Sequence, residues 1–258
     1  VPDDDYVFYN SKNLLPYRLI IVDESSMVDT SLMYDLLSAV EKSSKIIFVG
    51  DHNQLYPVGY GEPFFDFMKT LGVYRLTINH RQAEGTDILN NAKNALAGMP
   101  LECGRGVTVR HISFMEIGDL LTRDEDTQII SPYNDLNRQI NAFLRKGEEQ
   151  LNEGDKIMTI RNTKSYCNGD IGTVVSANSK GVTIEIEGKR IVVKNSHRKD
   201  ITLAYAITVH KMQGSEAKRV MVFLPENDSM VDKRLLYTAV TRAREELEVY
   251  YYTNPMEE

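Results

Sequence analysis

The sequence predicts an α/β protein whose parallel sheets are covered by helices on both faces, with a small antiparallel β-barrel inserted into it. Three observations lead there. Short apolar runs recur without polar alternation, at Leu19 to Val22, Lys45 to Gly50, Val73 to Ile78, Thr127 to Ser131, Ile201 to Val209, Arg219 to Leu224 and Leu247 to Tyr252. Strands buried on both faces of a parallel sheet read this way. Amphipathic segments separate the runs, as crossovers between parallel strands require. Between Gly154 and Asn195 the pattern switches to short alternating segments joined by turn signals.

Between the first two runs, Met33, Leu36, Leu37 and Val40 recur at helical spacing behind Thr30 as N-cap, which predicts the first crossover helix. The inserted module divides into four expected strands, Asp155 to Arg161, Asp170 to Ser176, Val182 to Glu187 and Arg190 to Lys194. Val182, Ile184 and Ile186 alternate with Thr183, Glu185 and Glu187, while Asn168-Gly169 and Gly188-Lys189 mark hairpin turns. At roughly 45 residues the module has the size of small all-β folds. Near the end of the chain, Leu236, Val240, Ala243 and Leu247 make one face of a helix. Thr238, Thr241, Arg242 and Glu245 make the opposite one, which predicts an Arg242 turned away from the core.

With 258 residues, 42% hydrophobic and 26% charged, the chain has length for one large domain or two ordinary ones, and collagen-like, low-complexity and disordered classes are excluded. No apolar run approaches the roughly 18 residues of a membrane span, so no membrane partner is expected and the cytoplasm is the expected compartment. Cys103 and Cys167, the only cysteines, are too few for a disulfide framework and fit free thiols. The five histidines have no ligand-like spacing. The chain opens on Val1-Pro2-Asp3-Asp4-Asp5, which reads as a segment of a longer protein. Net charge is −7, yet residues 154–200 carry nine Lys and Arg against five Asp and Glu. A basic module in an acidic body suits local contact with a polyanion; a solvated lysine-rich β surface has the same composition.

Polar clusters stand where apolar runs end. The first run closes on Asp23-Glu24-Ser25-Ser26, paired acids at a strand end, where α/β sheets place ligands; one acid could hold Mg²⁺ and the other orient a water. The second closes on Gly50-Asp51-His52-Asn53-Gln54-Leu55, and the third on Asn79-His80-Arg81-Gln82. Thr208-Val209-His210-Lys211-Met212-Gln213-Gly214-Ser215-Glu216 follows the fifth, and Ala239-Val240-Thr241-Arg242-Ala243 lies near the end.

In this order the five clusters resemble motifs two to six of superfamily 1 helicases, in particular the RecD-like branch related to the alpha subunit of exonuclease V and to conjugation relaxase helicases. The resemblance runs from about Leu19 to Tyr252, and RecD-like proteins carry an SH3-like insertion just before the His-Lys-x-Gln-Gly motif. It implies two RecA-like lobes with ATP between them: residues 1–98 in the first, 99–153 and 199–258 in the second, and 154–198 as the SH3-like insert. Asp23 would then hold Mg²⁺ through its water shell, Glu24 would polarise the attacking water and Gln54 would sense the γ-phosphate. Arg81 and Arg242 would stabilise charge on the transferred phosphoryl group. Asp51, Gln213, Gly214 and Glu216 would belong to the nucleotide site, Glu216 at the ribose. Thr208, His210 and Lys211, with the aromatics Tyr60 and Phe64, would meet single-stranded DNA.

The phosphate-cradling signature G-x-x-x-x-G-K-[ST] is absent; the only Gly-Lys pair, Gly188-Lys189, is followed by Arg190 in a β turn. The chain therefore reads as the C-terminal portion of a motor that moves 5′ to 3′ on single-stranded DNA. The missing N-terminal part of the same protein is its first expected partner, and subunits of a recombination or transfer complex are others. The fragment alone should be nearly inactive. Three alternatives stand beside this: a non-catalytic nucleic-acid docking module, a viral-type superfamily 1 RNA helicase, and a metal nuclease built on Asp23, Glu24 and Asp51.

Overall fold

Leu19–Val22 (β1) and Lys45–Phe48 (β2) pair in parallel, with Leu19 opposite Lys45 and Val22 opposite Phe48. The computed structural model describes residues 9–76, 86–148 and 150–253, and the chain divides into two compact units, 1–80 and 81–258. In the first unit the crossover helix α1 (Thr30–Ser38) is capped one residue earlier than the sequence suggests: the Asp29 side chain accepts from the Leu32 amide. A carboxylate at N-cap satisfies an amide the helix leaves open. Met33 is the buried residue of α1. Helix α2 (Pro63–Thr70) starts on a proline, which lacks the amide that position would waste.

The strand expected over Val73 to Ile78 does not form over its described part. Residues 73–76 have no strand assignment, and Tyr74 and Leu76 are 99% and 96% exposed. Apolar residues take strand geometry where a neighbouring strand accepts their backbone groups and a surface covers their side chains, and among the described residues neither is provided here.

The second unit opens with α3 (Ile88–Ala97), whose buried Ile88, Ala92 and Ala95 pack toward α6 (Lys233–Val240) and β12 (Ala243–Thr253). The sequence boundary after residue 98 therefore differs from the division by contacts at 80/81, because the apolar face of α3 is satisfied by the second unit. There follow β3 (Val107–Ser113), the short α4 (Ile117–Leu120), β4 (Thr127–Ser131), α5 (Asn134–Leu144), β10 (Ala206–Thr208) and β11 (Ala217–Pro225). These strands and β12 form one parallel sheet in the order β10-β4-β11-β12-β3. Every residue of β4 is buried, including the polar Thr127, Gln128 and Ser131, as befits a strand with parallel neighbours on both sides. The core on one side gathers Ile112, Ile129, Ile140, Phe223 and Tyr252.

Between α5 and β10 lies a second sheet, entirely antiparallel, of β5 (Lys156–Thr159), β6 (Ile171–Asn178), β7 (Gly181–Ile186), β8 (Lys189–Lys194) and β9 (Ile201–Leu203). Its order is β8-β7-β6-β5-β9. The first four strands fall where alternation predicts them, and Val182, Ile184 and Ile186 point into a separate core with Ile157, Val174 and Val193. The fifth comes from the run Ile201 to Val209, which is two strands in two different sheets, interrupted at Ala204 and Tyr205. Among the described residues no helix is long and apolar enough to cross a membrane.

The predicted terminal helix also differs. α6 ends at Val240, and Ala243 and Leu247 lie in β12, paired with Ala217 and Val220 of β11. Register with a buried parallel neighbour overrides the 3.6-residue pattern, and Arg242 falls in the turn between helix and strand with 0% exposure.

Candidate functional site

Two loop systems carry the motif residues. In the first unit the chain leaves β1 through Asp23, which is exposed, and Glu24, which is half-buried. The Glu24 amide donates to Asp23 Oδ1 at 2.8 Å, Ser25 Oγ donates to the Val22 carbonyl at 2.6 Å, and the Ser25 amide donates to the Val49 carbonyl at 2.8 Å. The ends of β1 and β2 are thus tied side by side. Glu24 has φ 49° and ψ 36°, the left-handed region, which costs a residue with a Cβ about 1 kcal/mol or more. Such strain persists where surroundings enforce it, and it concentrates at functional sites. Ser26 is fully buried and its Oγ has no hydrogen-bond partner among the described residues.

After β2, Asp51 Oδ1 accepts from the Asn53 amide at 2.9 Å, and its carbonyl accepts from the Gln54 amide at 3.2 Å; Gln54 is buried. Gly50 permits this approach, since a Cβ there would stand 2.9 Å from the Ser26 nitrogen and 3.1 Å from Phe64 Cζ. Phe64 is therefore a packing residue, buried against Gly50 and edge-on to Phe65. This corrects its reading as a base platform. Tyr60 is 92% exposed. Arg81 lies outside the described residues.

In the second unit the loop after β10 is wound into turns. The Thr208 carbonyl accepts from Met212 at 3.1 Å, Thr208 Oγ1 from the Lys211 amide at 3.2 Å, and the His210 carbonyl from Gln213 at 3.2 Å. Gly214 has φ 76°, the conformation that lets the loop turn back into β11. Thr208 and Gln213 are buried, Lys211 and Glu216 exposed, and His210 lies between. Burial pushes the His210 imidazole below its ordinary pKa, against the attraction of Asp232.

Arg242 ties this loop to the end of α6. Its Nη1 donates to the Ser215 carbonyl at 2.9 Å, Nε to the Thr238 carbonyl at 3.1 Å and Nη2 to Thr241 Oγ1 at 3.2 Å. The Arg242 carbonyl accepts from the Ala217 amide at 3.0 Å. The expectation of an outward-facing helical arginine is corrected here: it sits in a turn, wholly buried, with its charge solvated by carbonyl dipoles. Arg244 Nη1 lies 3.4 Å from Glu216 Oε1. Sequence reasoning missed Arg244 and the carbonyl of Ser215. Both stand inside recognised motifs, but their roles depend on a turn that periodicity hides. Gln213, Gly214, Glu216 and Arg242 are thereby brought together, and Thr208, His210 and Lys211 occupy the preceding turn.

Residues 5–105 match the model of an AAA domain, and residues 203–250 match the UvrD-like helicase C-terminal domain. The fold is that of a Pif1 helicase from Bacteroides solved with ADP-AlF3 and single-stranded DNA, with TM-score 0.67 at 20% identity, covering 96% of this chain and 73% of that one. Two parallel sheets with helical crossovers are the architecture that this likeness covers. Two curated relatives are similar in sequence. The ATP-dependent RecD2 DNA helicase of Deinococcus radiodurans is 29% identical over 92% of this chain and 37% of its own length. The RecBCD enzyme subunit RecD of Mycolicibacterium smegmatis is 32% identical over 96% of this chain and 52% of its own. The chain is similar to these RecD-type helicases, and it spans about half or less of their length.

Proposed function

We propose that this chain is the C-terminal portion of an ATP-dependent DNA helicase that translocates 5′ to 3′ on single-stranded DNA and unwinds duplex. Residues 1–80 contribute to one RecA-like lobe, and the parallel sheet of the second unit forms the other. The β5–β9 sheet is the SH3-like insert. The observation that carries the reading is the position of three motifs: the Asp23, Asp51 and Thr208 clusters stand at or just past the carboxyl ends of β1, β2 and β10, where α/β sheets receive ligands, while Arg242 lies in the turn that enters β12.

Asp23 fits a magnesium ion held through water, since a single exposed carboxylate suits an ion that keeps most of its water shell. Bound there, the ion would neutralise charge on the phosphates. Glu24, held in its strained turn, orients the attacking water, Gln54 and Asp51 sit at the γ-phosphate end, and Glu216 meets the ribose. Arg242 and Arg81 supply positive charge to the transferred phosphoryl group. Because Arg242 is wholly buried, it reaches a phosphate only when the Ser215–Glu216 segment shifts. Thr208, His210, Lys211 and Tyr60 contact single-stranded DNA.

ATP hydrolysis by this chain and by the full-length polypeptide, each with and without single-stranded DNA, tests the reading. A nearly silent chain beside a DNA-stimulated full-length protein is the expected result; a full-length protein without DNA-stimulated hydrolysis rejects the motor. A second reading, a nucleic-acid docking module, is favoured by residues 189–199, which carry five Lys and Arg and no acid along the outer strand β8 and the turn after it. A steep loss of DNA affinity with salt that disappears on deleting residues 154–198, without ATP turnover in the full-length protein, selects it.

A further inference from the structure

Asp155 is 0% exposed and no motif claims it. It stands where the chain passes from α5 into the antiparallel sheet. Its carboxylate pairs with Arg145 of the α5 C-cap, itself 3% exposed. It also accepts from the Asn152 amide at 2.7 Å, from Arg123 Nη2 at 3.1 Å and from the Tyr205 hydroxyl at 2.8 Å. Tyr205 lies at the other crossing, between β9 of one sheet and β10 of the other. Arg123, from the segment before β4, lies over the Tyr205 ring, 4.8 Å from its centroid, and also bonds its hydroxyl. The exit is gripped again from the parallel sheet and α5. Gln128 Nε2 donates to the carbonyls of Ala204 and Tyr205 at 3.1 Å each, and the Asn141 side chain makes two bonds to the Ala206 backbone, at 2.8 and 2.9 Å.

Simple stability is a poor reason for such a cluster, since burying a carboxylate with guanidinium groups is offset by their desolvation. What the cluster does is geometric. A sheet attached by two single strands of chain could swing about them; one carboxylate bonded to residues at both crossings, among them Arg145 at the end of α5, removes that freedom. We propose that Asp155 is the anchor fixing the orientation of the β5–β9 sheet on the parallel sheet, with Arg145 and Tyr205 as its positioning partners.

The test uses the full-length polypeptide with Cys103 and Cys167 replaced by serine and spin labels at Val192→Cys and Met115→Cys, both exposed sites, one on each sheet's side. The distance distribution between labels is narrow in the parent. It broadens in Asp155→Asn and in Tyr205→Phe, the second variant removing one hydroxyl and leaving every charge in place. Amide exchange in β11 and β12 monitors folding, so that a collapsed Asp155→Asn protein is recognised and Tyr205→Phe decides. A narrow distribution in folded variants overturns the anchor. A further arm rests on the helicase reading: base pairs opened per ATP fall on the order of tenfold or more in Tyr205→Phe while ATP turnover stays within about twofold. Unchanged coupling with a broadened distribution overturns the positioning role in unwinding. A parent that opens no duplex counts against the helicase reading and leaves the distance result standing.

Discussion

The two loop systems that carry the motifs are built in opposite ways. The Asp23–Ser26 turn of the first unit is local: its hydrogen bonds join residues within three positions, apart from one link to the neighbouring strand, and its first carboxylate is exposed. The Arg242 site of the second unit is assembled from residues 27 positions apart, and its charge is wholly buried. The first presents acid to solvent at the cost of a left-handed Glu24 but buries no charge. The second makes the arginine part of the core, so a change of that side chain is also a change of the fold's interior.

That contrast is open to mutation. The largest expected effect is on turnover in the full-length polypeptide: Glu24→Gln abolishes ATP hydrolysis with nucleotide binding intact, and its unfolding midpoint stays close to the parent's. Arg242→Ala slows hydrolysis on the order of a thousandfold or more. It also destabilises by about 1 to 3 kcal/mol, since the carbonyls of Ser215 and Thr238 lose a buried donor. Equal denaturation midpoints for Glu24→Gln and Arg242→Ala would erase the distinction between the two sites.

Gly50→Ala is expected to cost about 1 to 3 kcal/mol, because the new methyl meets the Ser26 nitrogen and the Phe64 ring; urea unfolding reads it directly. A smaller effect concerns acidity. The His210 pKa is lower in the folded chain than in the unfolded one, so the unfolded state binds more protons near and below the ordinary histidine range. Stability should therefore fall as pH drops through that range, and His210→Gln should flatten this dependence in melts from pH 7.5 to about 5.5. Smallest of all, Arg219→Gln, which breaks the exposed pair with Glu246 at 2.6 Å, should shift stability by no more than about 1 kcal/mol.

The placement of many candidate residues was legible in sequence, because polar loops at strand ends interrupt apolar runs. Asp23, Glu24, Asp51 and Gln54 all lie within a few residues of a strand that its own composition predicts. The alternation of Val182, Ile184 and Ile186 likewise declares a half-buried strand without outside help. Residues whose partners are remote were not legible. The burial of Phe64 depends on Gly50, and the splitting of Ile201 to Val209 depends on which sheet offers each half an open edge. Arg242 left its predicted helix because β11 supplies β12 with a register partner from Ala243 onward. The sequence by itself determined the α/β class, the inserted antiparallel module and the order of the motif loops, all of which follow from local spacing and composition. Only the tertiary structure decided which charges are buried and where strands begin and end, since burial and pairing are set by neighbours far along the chain.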